Sequence, residues 1–264
     1  MMEINLIYPV KSQIKYEIFR FPDGEIQIKL DNIDHKEFYN VKCRVRSAEE
    51  LFILMQIADI LNRHGVLFDI EIYYLMSMRM DKVMEFNRPF SLSIVLKVLD
   101  GLEARIIYIL EPHSNRAVDA DSTFFKDGSD ILIENIDISE YLPVFPDSDA
   151  QERYRWMGEG LNCSKVRDIS SGKVGFSLVN PEILKTIRKP LLVIDDLCDE
   201  GRKFAGIANE IRKYTDRELN IFVTHMVNEK GVKTLSDKYD KVYFTNSYKD
   251  WENLPDNVTM FNIC

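Results

Sequence analysis

The sequence predicts an α/β protein made of two successive sheets, each mostly parallel and flanked by helices. Short apolar runs of strand length alternate with longer stretches of helical periodicity, the rhythm of a doubly wound sheet. That rhythm restarts after a softer, acidic stretch from Asp119 to Asp130, which divides the chain into residues 1–125 and 126–264. At 264 residues, 45% apolar and 29% charged, the chain can bury a core in each half.

Taken in order, Phe19 to Phe21 and Ile26 to Leu30 flank Asp23-Gly24, a hairpin turn. Ser47-Ala48-Glu49-Glu50 is a capping box that opens a helix. Its Leu51, Leu54, Met55, Ala58 and Leu61 share one face, and Gly65 ends it. Phe68 to Tyr74 reads as a buried strand, Ser91 to Leu99 as an amphipathic helix, and Ile106 to Leu110 as a second buried strand. In the second half, strands are expected at Ile131–Glu134, Leu191–Ile194, Ile221–Thr224 and Val242–Thr245. Helices are expected at Lys203–Tyr214 and Gly231–Tyr239.

A net charge of −9 argues against non-specific binding to nucleic acid or to an anionic membrane. Cys43, Cys163, Cys198 and Cys264 show no metal-binding spacing and no disulfide framework, so they read as reduced thiols of a cytoplasmic protein. The opening Met1-Met2-Glu3-Ile4-Asn5 lacks the basic flank of a signal peptide, and no run reaches the length of a membrane span.

The sharpest signal is Leu191-Leu-Val-Ile-Asp195-Asp196-Leu-Cys-Asp199-Glu200-Gly201. A buried strand ends in two acids, and a tight turn and a helix start follow. Ligands of open α/β sheets bind beyond the carboxyl ends of strands. Free N–H groups of the turn can hold a phosphate, and the acids can hold ribose hydroxyls or a hydrated Mg²⁺. A bland reading, an acidic strand end before an N-capped helix, fits the same residues. Two adjacent acids with a third on the turn are harder to explain structurally than one.

This segment resembles the phosphoribosyl-diphosphate loop of type I phosphoribosyltransferases and ribose-phosphate pyrophosphokinases. Further matches, in order along the chain, point to the pyrophosphokinases. Phe21-Pro-Asp23-Gly24-Glu25 resembles their Phe-Ser-Asp-Gly-Glu, and Tyr74 to Lys82, with Arg79 and Asp81, their Tyr-to-Arg segment. Glu111-Pro-His113 resembles their Asp-Leu-His, Phe145-Pro146-Asp147 their Ser-Pro-Asp, Lys165-Val-Arg167 their Lys-Arg-Arg, and Thr224-His225 their Thr-His.

The resemblance implies two tandem phosphoribosyltransferase-like domains and an ATP-dependent diphosphotransferase. Phe21, Asp23, Glu25, Arg79 and Asp81 would bind ATP, the first three from a neighbouring subunit, so at least a homodimer is expected. His113 and Asp147 would hold Mg²⁺, while Lys165, Arg167 and His113 would be catalytic. Asp195, Asp196, Asp199, Glu200, Gly201, Arg202 and Lys203 would bind the ribose phosphate. Each has an ordinary alternative: Asp23-Gly24 is also a hairpin turn, His113 a polar strand end, Asp147 a turn residue, and Lys165 with Arg167 a solvated basic loop.

The loop departs from the family where Asp199-Glu200-Gly201-Arg202-Lys203 replaces Asp-Thr-Gly-Gly-Thr. A carboxylate at Glu200 is expected to repel a terminal phosphate dianion. Arg202 and Lys203 could instead meet a second phosphate. The acceptor is therefore expected to be ADP-ribose or free ribose 5-phosphate, with the loop slightly favouring ADP-ribose. A phage-encoded branch of the family makes ADP-ribose pyrophosphate for NAD resynthesis, and this chain resembles it; a phage origin would place it in the host cytoplasm. The rival expectations are an inactive regulatory homologue and a phosphoribosyltransferase.

Overall fold

The computed structural model describes residues 1–114, 123–126, 128–167 and 174–264. It divides into two compact units, Met1–Asp127 with Cys264, and Gly128–Ile263. Of the acidic stretch from Asp119 to Asp130, residues 119–122 and 127 lie outside the described residues.

The first unit holds an all-parallel sheet of β1 (Met2–Asn5), β4 (Tyr39–Val45), β5 (Phe68–Leu75), β6 (Ile106–Leu110) and β7 (Thr123–Lys126), in that spatial order. A separate antiparallel hairpin joins β2 (Tyr16–Arg20) to β3 (Ile26–Leu30). Helices α1 (Ala48–Arg63) and α2 (Ser91–Asp100) complete the unit.

Ser47 caps α1 by accepting from the Glu50 N–H at 3.2 Å. Glu50 reaches back to the Arg46 N–H at 2.5 Å, one residue before its place in a standard capping box. The buried face of α1 is Leu51, Ile53, Leu54, Ile57, Ala58 and Leu61. Met55, expected on that face, is 38% exposed. The buried arc is wider than expected on the side of Ile53 and Ile57, which leaves Met55 at its rim. Gln56 ties the hairpin to this helix, accepting from the Ile28 N–H and donating to the Ile26 carbonyl, both at 3.0 Å.

In the second unit, α3 (Ser129–Asn135) precedes β8 (Leu142–Phe145), and α4 (Ser148–Arg153) follows it. Next come β9 (Leu161–Arg167), β10 (Val174–Leu178), the short α5 (Ile183–Thr186), β11 (Leu191–Cys198) and α6 (Arg202–Ile211). The unit closes with β12 (Leu219–Met226), α7 (Glu229–Ser236), β13 (Lys241–Thr245) and β14 (Val258–Phe261). The sheet runs β10-β9-β8-β11-β12-β13-β14, parallel except where β10 folds back on β9. Leu191 and Val193 face one core while Leu192 and Ile194 face another, so β11 is covered on both sides. This is why it reads as an unbroken apolar run.

The strand expected at Ile131–Glu134 is instead the middle of α3. Ile131 and Leu132 are buried there, while Ile133 is 52% exposed. A three-residue apolar run does not distinguish strand from helix by periodicity. All four cysteines are free, and Cys43, Cys163 and Cys198 are buried. No helix among the described residues is long and apolar enough to cross a membrane.

Candidate active site

The C-terminal end of β11 organises the second unit's site. Its register beside β8 brings the ends of these neighbouring parallel strands together. Asp195 and Asp196 therefore lie near Asp147, which follows β8 and caps α4 by accepting from the Ala150 N–H at 3.0 Å. Asp195 and Asp196 are only 6% and 3% exposed.

Lys203, the second residue of α6, spans these acids. Its ammonium lies 2.8 Å from Asp195 Oδ2 and 2.5 Å from Asp147 Oδ2. Burial alone would lower its pKa, but Asp195 and Asp147 outweigh it and raise it. Burial disfavours the Asp147 charge too, yet Lys203 and the Ala150 N–H hold its carboxyl below the usual range. At Asp195, burial and the adjacent Asp196 win over Lys203 and push the carboxyl up to about 7. Lying between the two acids, the Lys203 ammonium keeps its charge.

The turn between β11 and α6 needs its glycine. Gly201 caps α6 at φ +78, and a Cβ there would stand 2.9 Å from Thr234 Cβ. Gly231 is tighter still, since its Cβ would lie 2.0 Å from the Asp199 carbonyl oxygen. Asn228, the cap of α7, donates to Asp199 Oδ1 at 3.2 Å. Helix α7 thus braces the loop from outside.

Glu200 corrects one expectation. Its carboxylate does not stand alone toward a ligand: Arg202 lies 2.6 Å from it and Lys230 3.3 Å. The loop rim carries two cations to one anion, and Lys230 escaped the sequence reading because it comes from α7. Lys203 likewise turns inward to the acids instead of joining Arg202 at the rim.

Lys165 is exposed on β9, opposite Phe176 of β10. The Phe176 ring stands where a side chain on Gly206 of α6 would be, with a 2.6 Å approach, so this hairpin arm rests on the helix beside the loop. Arg167 ends β9, and its side chain lies outside the described residues. Thr224 and His225 are fully buried. The Thr224 carbonyl accepts from Thr245 and Ser247, and His225 Nδ1 lies 2.8 Å from Ser247 Oγ. They lock strand ends together.

In the first unit, Phe21, Asp23 and Glu25 form the exposed tip of the β2–β3 hairpin. The Phe21 N–H donates to the Glu25 carbonyl, and the Glu25 N–H to Asp23 Oδ1 at 3.1 Å. Asp23 therefore serves the turn and remains accessible. Arg79 and Asp81 follow β5, and an exposed His113 follows β6. Two non-glycine residues near these strand ends, Ser77 at φ +66 and Glu111 at φ +34, hold left-handed backbone conformations. Glu111 is also buried at 3% exposure, a feature the sequence did not signal.

Mg²⁺ takes hard oxygen donors, typically one or two carboxylates plus substrate phosphates. Asp147, Asp195 and Asp196 are donors of that type, but Lys203 stands between the first two, so an ion there would need phosphate donors brought by a ligand. Among the described residues, no group of three or more His, Cys, Asp or Glu side chains is arranged to hold a metal by itself.

No protein-family model matches the sequence, and no curated protein matches it. Among solved structures, the chain is similar to phosphoribosylpyrophosphate synthetase from Mycobacterium smegmatis. The TM-score is 0.78 at 19% identity, over 94% of this chain and 86% of that one. A hypothetical protein from Neisseria gonorrhoeae with bound ppGpp matches 51% of this chain and 72% of its own at a TM-score of 0.28 and 12% identity, too remote in shape to inform the site. The chain therefore has a phosphoribosylpyrophosphate synthetase-like fold, with mostly parallel sheets flanked by helices.

Proposed function

We propose that the chain is a Mg²⁺-dependent pyrophosphokinase that transfers the β,γ-pyrophosphoryl group of ATP to the C1 hydroxyl of a ribose 5-phosphate unit. The observation that carries this reading is the strand end Asp195-Asp196 with its Gly201 loop, set in a fold shared with phosphoribosylpyrophosphate synthetase. The C1 oxygen bonds to the β-phosphorus, the bond from that phosphorus to the AMP oxygen breaks, and the hydroxyl proton is lost to water. Such a transfer depends on positioning and on neutralising phosphate charge.

Within the second unit, Asp195, Asp196 and Asp199 orient the ribose hydroxyls, and the loop N–H groups hold the 5-phosphate. Lys165 and Arg167 on the β9 arm meet charge that develops on the transferring group. By the family resemblance, Asp147 and His113 would each help to hold Mg²⁺, which when bound would neutralise the ATP phosphates. Arg79 serves the ATP phosphates, Asp81 is a further ATP-binding residue, and the Phe21-Asp23-Glu25 tip serves the base from a second subunit of at least a dimer.

The rim favours ADP-ribose as acceptor, through a different argument from simple repulsion at Glu200. Arg202 and Lys230 outnumber Glu200 and suit a phosphate beyond the first one. The test is AMP release from ATP and Mg²⁺ with ADP-ribose, ribose 5-phosphate or no acceptor, with product masses read alongside. ADP-ribose is expected to turn over faster and to gain one pyrophosphate. A clear preference for ribose 5-phosphate sinks the acceptor assignment. Folded protein that releases no AMP with either acceptor sinks the pyrophosphokinase reading in favour of a non-catalytic homologue.

A further inference from the structure

Asp195 and Asp196 are carboxylates largely removed from water, and Asp147 stands beside them on the neighbouring strand end. Gathered acids of this kind need a cation, because withdrawing uncompensated charge from water is costly. In this chain the cation is covalently attached. Lys203 sits in the first turn of α6, where side chains lean back toward the helix N-terminus and so toward the end of β11. Its single ammonium reaches Oδ2 of both Asp195 and Asp147. Asp147 Oδ1 is engaged by the Ala150 N–H, so each oxygen of this carboxylate already has a donor. The phosphoribosyl-diphosphate loop that the segment resembles has a neutral threonine where Lys203 stands.

We propose that Lys203 is a tethered counter-cation, standing between Asp147 and Asp195 where a divalent ion would otherwise bind. The nucleotide-free protein then takes no divalent ion at these carboxylates. The strand end keeps a fixed geometry, with Asp195 Oδ1 accepting from the Asp196 N–H and Oδ2 from Lys203. Use of that strand end by a ribose rests on the pyrophosphokinase reading, whereas the exclusion of the ion does not. Lys203 acts through the acids it holds and is a positioning residue.

Calorimetric titration of the full chain with Mn²⁺, without nucleotide or acceptor, tests this directly. Wild type is expected to show no stoichiometric ion. Lys203→Met is expected to gain one ion per chain, bound about tenfold or more tighter than any wild-type binding, because an ammonium repels a nearby divalent ion even at the dielectric constant of water. The gain should vanish in Lys203→Met/Asp195→Asn. A folded Lys203→Met that gains no ion overturns the proposal, as does a stoichiometric ion in wild type that Asp195→Asn removes. Should Lys203→Met not fold, Lys203→Gln keeps most of the side-chain length and carries the same comparison. Because binding is read without ATP, a failure here leaves the pyrophosphokinase reading standing, and absent AMP release leaves this proposal standing.

Discussion

At the scale of single residues, the loop after β11 depends on what is missing from Gly231 as much as on what its acids supply. A methyl there would overlap the Asp199 carbonyl oxygen, which is backbone and cannot rotate away. Gly231→Ala should therefore destabilise the protein by about 1–3 kcal/mol and displace the loop. A thermal melt read with acceptor titration checks this, and an unchanged melting temperature with unchanged binding would refute it. The acids of the loop were legible because an apolar strand, paired carboxylates and a glycine are contiguous. Lys203 was legible as a residue but not in its role. Its partner Asp147 is 56 positions away, and only the pairing of β8 with β11 brings them together. Lys230 was hidden for a similar reason, lying 30 positions from Glu200 on another helix.

At the scale of elements, strands buried on both faces announced themselves as apolar runs, and β11 and β12 are of this kind. Short elements did not. Ile131 to Glu134 has strand-like composition, yet it lies in α3, where the choice is made by tertiary packing of Leu132. The arm strands β9 and β10 were missed because Asn162, Ser164 and Lys165 interrupt any apolar pattern. A tertiary tie also fixes the far end of α6. Asp240 Oδ2 accepts from Arg212, just past that helix, and from the Leu219 N–H at the start of β12, each at 2.7 Å. Burial disfavours the Asp240 charge, but these two donors hold its pKa below the usual value. A lowered carboxyl contributes stability above its unfolded pKa and loses it as pH falls through the folded one. Asp240→Asn should thus cost about 1 kcal/mol near neutrality, a small figure because the group is half exposed. The gap from wild type should close below about pH 4. Denaturant melts across that range would show it, and a gap that persists to low pH would remove the charge from the account.

At the scale of the whole molecule, two sheets with separate cores were readable from the way the strand–helix rhythm stops and restarts. The fold as a class needed only that rhythm, whereas the site needed strand order, which no local pattern encodes. These cores also enclose three of the four thiols. Burial pushes Cys163 and Cys198 up to about 12 and raises Cys43 as well. Thiolates, not thiols, react with electrophiles. Cys264 alone of the four is partly accessible. Ellman titration of the native protein should count one fast thiol, with the other three appearing on denaturation; more than one fast thiol would contradict this burial. The unmutated chain then comes with its own single attachment point, where a maleimide dye or a surface tether can be fixed without engineering a cysteine-free background.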